Sequence, residues 1–356
     1  MNSLERFKET VYFGKPDRVF MWSQWYFNDT LKRWRNEGMP SDVHFNTYFG
    51  FDRVEGVPIN LGFVPAPECK IVEEDKETAT YVDDLGNKWR RWKEREIGMS
   101  QWLEFGLKSR DDWEKYIVRL KPGTPIRYPE YWEDWKRTVK KRDYPLGISA
   151  GSFYGWPRCW IGMENISVMF YDDPQFIKEV INYIADFICD TIARALEEVK
   201  FDFATIWEDL GMKTGPLLSP RFFEEFCLPA YKKVTKLLRD YGIDVIMVDS
   251  DGNNDVIIPL WLEGGVNCFF PLEVAANTNA LAMREKYGTK LILMGNIDKR
   301  ALGKTKKEVE EEVMKKVPYL IEKGGYMPMV DHQVPPDVPL ENFQYYLDLV
   351  KKIQGL

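Results

Sequence analysis

The segment Met247-Val-Asp-Ser-Asp-Gly-Asn253 ends an apolar run, Asp244-Val-Ile-Met-Val248, with two carboxylates spaced i and i+2 and then a glycine. Side chains two apart on a strand share a side, so Asp249 and Asp251 would stand next to each other where the strand ends. Like charges that near are costly unless a cation, a proton or water lies between them. Acidic groups recur after other apolar runs, in Trp207-Glu-Asp209, Pro271-Leu-Glu273, Gly295-Asn-Ile-Asp298 and Asp331-His332. Only two histidines exist, His44 and His332, so an imidazole beside an aspartate stands out. A bound divalent metal would relieve the repulsion, with Asp249, Asp251 and His332, joined by Glu208, as ligands. Such an oxygen-rich set with one imidazole suits Zn2+ or a similar ion. The competing reading is structural: strand-end aspartates cap the next helix or pair with Lys and Arg, and this weighs most on Asp251, which precedes Gly-Asn-Asn-Asp.

A second constellation is Gly147-Ile-Ser-Ala-Gly151, which matches Gly-x-Ser-x-Gly, with Ser149, Asp251 and His332 in hydrolase order. A nucleophile elbow turns straight into a helix, whereas Gly151-Ser-Phe-Tyr-Gly-Trp-Pro157 cannot be helical throughout, and no His-Gly-Gly segment supplies an oxyanion hole. Aromatic residues crowd the same strand ends. Trp22, Trp25, Tyr26 and Phe27 follow one run, Phe153, Tyr154, Trp156 and Trp160 another, and Trp207 a third. A flat apolar substrate would stack there, with Trp25, Tyr26, Trp156 and Trp207 as its walls, although about half of these rings are expected simply to pack.

The elements that must position these groups follow from the pattern. Pro145–Ser149, Phe203–Trp207, Asp244–Val248, Asn267–Phe270, Lys290–Met294 and Tyr326–Val330 read as strands, each followed by a helix signal. Asp172-Asp-Pro174 opens a helix over Gln175–Lys200, Ser219-Pro220 opens one over Arg221–Tyr241, and Thr305 caps one that Gly324-Gly325 ends. Arg18–Trp22 reads as a further strand, and an eighth is expected within 48–64 without a fixed position. Six strand-helix steps in succession predict an α/β chain built as one closed (β/α)8 TIM barrel over 1–356 rather than an open doubly wound sheet. Residues 66–95 break the pattern: Glu68–Glu73, Thr78–Val82 and the turn Asp84-Leu-Gly86 predict a small inserted antiparallel β-meander.

Composition bounds the partners. The 356 residues carry a net charge of -7, which offers no footprint for nucleic acid. No apolar run has membrane-spanning length, and the opening residues lack a signal-peptide core, so a cytoplasmic protein is expected. The five cysteines, Cys69, Cys159, Cys189, Cys227 and Cys268, are scattered and contain no Cys-x-x-Cys pair, which predicts reduced thiols.

Several motifs together resemble the uroporphyrinogen decarboxylase superfamily over nearly the whole chain: Lys15-Pro-Asp-Arg-Val19, Gly162-Met-Glu-Asn-Ile-Ser-Val-Met169, Asp172-Asp-Pro174, Leu218-Ser-Pro220, Val248-Asp-Ser-Asp-Gly-Asn253, Gly295-Asn-Ile-Asp298, and Gly324-Gly-Tyr326 followed by Asp331-His332. The resemblance implies a (β/α)8 barrel and two activities, porphyrinogen decarboxylation and corrinoid-linked methyl transfer, between which the fold does not choose. Decarboxylases of this kind carry Met-Arg-Gln-Ala-Gly-Arg-Tyr after the first strand to grip porphyrin carboxylates. Here Met21-Trp-Ser-Gln-Trp-Tyr-Phe27 has no arginine, and an octacarboxylate would be poorly held. The methyltransferases bind zinc through His-x-Cys where this chain has Asp249-Ser-Asp251, with a distal Cys near His332. Carboxylates in place of thiolates leave a harder Lewis acid, better suited to an ether oxygen than to a thiol.

The resemblance therefore implies a methoxyaryl O-demethylase. A methoxylated aromatic stacks on Trp25, Tyr26, Trp156 and Trp207, and its methyl group passes to the cobalt of a cobalamin. Glu208, Asp249 and His332 are the expected catalytic residues, with the metal or Glu208 stabilising the departing phenolate. No corrinoid-binding Asp-x-His-x-x-Gly motif occurs, so the cobalt is expected on a separate corrinoid protein. Tetrapyrrole decarboxylation, Ser149 hydrolysis and a non-catalytic binding module are the alternatives, and a homodimer is compatible with each.

Overall fold

The computed structural model describes residues 1–22, 25–93 and 100–356. In chain order its strands begin with Glu55–Gly56 (β1). Cys69–Glu74 (β2), Thr78–Asp83 (β3), Lys88–Trp92 (β4) and Gln101–Glu104 (β5) follow, and then Leu146–Ser149 (β6) and Phe203–Trp207 (β7). The short pair Gly211–Met212 (β8) and Gly215–Pro216 (β9) precedes Val245–Asp249 (β10), Cys268–Phe270 (β11), Ile292–Ile297 (β12) and Tyr326–Val330 (β13). One seven-stranded sheet runs β1-β6-β7-β10-β11-β12-β13, parallel at every pairing. Parallel neighbours need long crossovers, and helices such as Pro174–Glu198, Lys306–Lys323 and Leu340–Ile353 belong to that outer layer.

Alternation within the strands separates two cores. Val245, Met247, Cys268, Ile292, Met294 and Met327 lie in a cluster inside the curl of the sheet. Ile246, Val248 and Leu293 belong to the larger cluster shared with the helices. Burial on both sides is what a parallel barrel strand requires. Asp249 continues the inward series after Val245 and Met247, so its carboxyl caps the inner cluster at the strand's C-terminal end.

Arg18–Trp22, expected as a strand, forms no ladder among the described residues. Side chains take the place of a strand partner: Val19 N donates to Gln354 Oε1 at 2.6 Å, Phe20 N to Thr10 Oγ1 at 2.9 Å and Met21 N to Asp52 Oδ2 at 2.8 Å. Phe20 still packs in the inner cluster. Farther on, a parallel bridge joins Tyr26 to Val334. The expected eighth strand is the two-residue β1, inside the 48–64 window and paired with β6. The architecture is thus TIM-barrel-like, with one stave held by side-chain oxygens.

The helix starts follow their caps. Asp173 accepts from Phe176 N, Ser219 from Phe222 N, and Thr305 forms a reciprocal box with Glu308. The helix expected over Arg221–Tyr241 instead has a π turn at Phe223–Cys227 before Leu228–Asp240. The antiparallel sheet has four strands, β2-β3-β4-β5, and reaches Glu104, beyond the expected limit of 95; residues 94 and 95 lie outside the described residues. Its later strands lack a clean apolar alternation and are joined by cross-strand rings, with Tyr81 and Trp89 5.7 Å apart and Trp89 and Trp102 5.6 Å apart. No helix among the described residues is long and apolar enough to cross a membrane.

Candidate functional site

Three loops at the C-terminal ends of β10, β11 and β13 bring Asp251, Glu273 and His332 together, the end of a parallel barrel where such loops share one mouth. One donor atom from each lies within 4.8 Å of the others, and His332 Nε2 is 3.1 Å from Asp251 Oδ2. The backbone fixes this meeting. Gly252 sits at φ 78, and a Cβ there would lie 2.3 Å from the carbonyl carbon of Gly211, so only glycine fits. Its N–H donates to Glu273 Oε2 at 3.0 Å, so the turn after Asp251 also orients Glu273.

Lys299 holds Glu273 from the other side, with Nζ 3.1 Å from Oε1. It also lies 3.5 Å from Asp331. The fully buried Asp331 accepts from Val274 N at 2.9 Å and from Lys299 N at 3.0 Å, which ties the β11, β12 and β13 loops to one another. Asp331 and His332 thus divide the work: one staples the loops and the other faces Asp251.

The electrostatics show a site with too much negative charge. Burial pushes the Asp249 carboxyl up to about 8; neighbouring Asp251 and Asp209 add to the effect and His332 opposes it. Asp209 is raised by burial and then by Asp251. The hydrogen bond to Asp251 raises the His332 imidazole against the opposing effect of burial. Protons or a cation must offset this charge.

Glu208 requires a correction. It is fully buried and accepts from Ser152 Oγ at 3.1 Å, Phe153 N and Tyr154 N at 2.9 Å, Gly155 N at 2.8 Å and Tyr231 Oη at 2.7 Å. A carboxylate has about four lone-pair sites, so Glu208 has none to offer a metal or a substrate. It anchors the start of the helix Gly155–Ile161. Tyr26 is a second correction. Its ring packs among Trp34 at 5.2 Å, Phe45 at 4.9 Å and Phe343 at 5.8 Å, and its hydroxyl is buried, so it belongs to the outer aromatic core rather than the mouth.

The other expected aromatics remain accessible. Trp25 is 45% exposed and lies 5.9 Å from the Phe270 ring. Trp207 is half-buried and in register with Asp249, so both side chains stand on the inner side of the sheet. Trp156 stacks on Trp160 at 6.0 Å. Ser149 Oγ contacts Gly151 N at 3.4 Å and makes no hydrogen bond with His332 among the described residues. No Ser149–His332–Asp251 relay is assembled. The sequence pattern does not single out Glu273 or Lys299: Glu273 is one of several strand-end acids, and Lys299 carries no pattern of its own.

The donor set fits a divalent cation. Two carboxylate oxygens and one imidazole nitrogen match Zn2+ or a similar borderline ion. Bonds of about 2.0–2.2 Å would draw the donors to about 3–4 Å from one another. Asp249, two residues before Asp251 and electrostatically coupled to it, borders this set.

The family profile described as uroporphyrinogen decarboxylase (URO-D) matches residues 116–353. The chain is 26% identical to a uroporphyrinogen decarboxylase of Nitratiruptor sp. over 195 residues, covering 52% of each. It therefore spans about half the length of that curated relative. It is also 26% identical to a uroporphyrinogen decarboxylase of Pseudoalteromonas atlantica over 263 residues, covering 66% of this chain and 67% of the relative. Among solved structures, a methyltransferase from Methanosarcina mazei superposes with a TM-score of 0.59 at 15% identity, over 99% of both chains. That likeness shows the fold.

Proposed function

The chain belongs to the uroporphyrinogen decarboxylase (URO-D) family, and on that premise we propose that it moves the methyl group of a methoxylated aromatic compound to the cobalt of a separate corrinoid protein. The observation that carries this reading is the meeting of Asp251, Glu273 and His332 within 4.8 Å at the barrel mouth. The methyltransferase from Methanosarcina mazei, which shares the fold over 99% of both chains, adds support from a chain of like architecture.

Asp251, Glu273 and His332 would hold the metal, with Asp249 beside them. A divalent cation bound there would supply Lewis-acid polarisation of an ether oxygen and charge stabilisation for a departing phenolate. The chain's own residues do the rest. Trp207 and Trp25 offer flat apolar faces that orient an aryl ring and displace water from it. Lys299 and Gly252 N–H hold Glu273 at fixed positions, which removes a reorganisation cost at the moment of reaction. Transfer to a docked partner requires the methyl carbon to face the open side of the mouth.

Decarboxylation of a porphyrinogen is the second reading, favoured by the names of the curated relatives. It is disfavoured by the arginine-free segment Met21–Phe27, because several carboxylates would lack cations. The two readings separate in one experiment. Elemental analysis of the purified protein is followed by assay with methoxyarenes and a reduced corrinoid protein, and in parallel with a porphyrinogen. A divalent metal near one per chain, with methyl transfer that Asp251→Ala abolishes, is the expected result. Metal-independent decarboxylation would replace this reading with the other.

A further inference from the structure

We infer that Arg158 is the docking point for a carboxylate on the substrate, so that the preferred substrates are methoxylated aromatic acids rather than neutral methoxyarenes. The choice of a methoxylated ring rests on the methyl-transfer reading; the anion site itself does not. Arg158 lies on the helix Gly155–Ile161, whose entry is fixed by the Glu208 hydrogen bonds. Its side chain is 20% exposed, and its Nε is buried without a partner. The guanidinium donates no hydrogen bond to any described residue. Asp209 lies 3.8 Å away, beyond hydrogen-bond reach.

Other enclosed arginines behave differently. Arg127 donates to four backbone carbonyls, those of Lys121, Asn60, Gly62 and Arg119. Arg284 and Arg142 each also leave Nε without a partner, but their terminal nitrogens donate, those of Arg284 to the carbonyls of Leu291 and Gly325 and that of Arg142 to Asp202. Arg158 differs in that none of its guanidinium nitrogens donates to a described residue, which leaves the whole fork to a group that arrives later. The place is suited to one. The Arg158 guanidinium carbon is 5.9 Å from the Trp207 ring, and Trp207 is in register with Asp249 on the inner side of the sheet. A guanidinium fork takes a carboxylate through two parallel N–H bonds. An aryl ring attached to that carboxylate would lie along Trp207, toward the Asp251, Glu273 and His332 mouth.

The test is equilibrium binding of ortho-, meta- and para-methoxybenzoate, with anisole as the uncharged probe, by titration calorimetry and without a corrinoid partner. The expected result is that at least one methoxybenzoate binds about tenfold or more tighter than anisole. Arg158→Met should erase that preference and leave anisole unchanged, and Arg158→Lys, which keeps charge but loses the fork, should restore only part of it. Circular dichroism and the thermal midpoint of both variants should match the parent. A preference that survives Arg158→Met, or no preference in the parent, overturns the inference. The two readings fail separately: Arg158-dependent benzoate binding without methyl transfer sinks only the reaction, whereas methyl transfer indifferent to Arg158→Met sinks only the anion site.

Discussion

Glu208 and Asp251 occupy comparable places, each just past the C-terminal end of a barrel strand, and they do opposite things. Glu208 follows β7 and is enclosed by five donors from Ser152, Phe153, Tyr154, Gly155 and Tyr231. Asp251 follows β10 and meets another acid and an imidazole, with its charge offset only in part by His332. The strand end decides that a carboxylate comes near the mouth. The donors brought by the next loop decide whether it holds the fold or stays open for chemistry.

The largest expected effect breaks the first half of that contrast. Glu208→Ala leaves several buried N–H and O–H groups without an acceptor and should cost at least about 3 kcal/mol, read by chemical denaturation of the metal-free protein. Asp251→Ala should do the reverse, lowering divalent-metal affinity by about a hundredfold or more while changing stability by less than about 1 kcal/mol. Competition against a chelator measures the first quantity and denaturation the second. If Glu208→Ala lost metal and Asp251→Ala lost the fold, the contrast would be inverted.

Lys299→Met sharpens the comparison, because Lys299 touches Glu273 and not Asp251. It should weaken metal affinity about tenfold by releasing Glu273, again read against a chelator. A further test concerns Asp249 and pH. Its folded carboxyl stands at about 8, above the ordinary carboxylate value of about 3.9. The protonated form therefore stabilises the fold fully below about pH 3.9, and that contribution is lost as pH rises toward 8. Asp249→Asn mimics the protonated acid. In chelator-treated protein it should raise the thermal midpoint at pH 8 and leave it unchanged at pH 4.

Much of the barrel was legible because its strands are short apolar runs between capped helices. β7 and β13 have the expected limits, and Asp173, Ser219 and Thr305 cap as their types predict. Arg18–Trp22 misled for a physical reason: its apolar residues are buried as a strand's would be, yet its N–H groups find Gln354, Thr10 and Asp52 instead of a neighbouring strand. Periodicity reports burial and cannot report the partner. At the site, Asp251 and His332 were readable as a strand-end acid and a rare imidazole. Glu208 and Tyr26 were misplaced because donor supply and ring packing come from distant segments, and Glu273 was overlooked because nothing local separates it from a capping acid.

The contact between Gly211 and Gly252 has a consequence for how this mouth can change. With Asn253 N–H donating to Met212 O at 2.8 Å as well, the two loops touch backbone to backbone and move as one piece. A methyl group added at either glycine would strike the other loop, shifting Asp209 and Asp251 jointly instead of retuning one. Remodelling this opening for a bulkier guest would therefore call for paired alterations in two stretches of chain about forty residues apart.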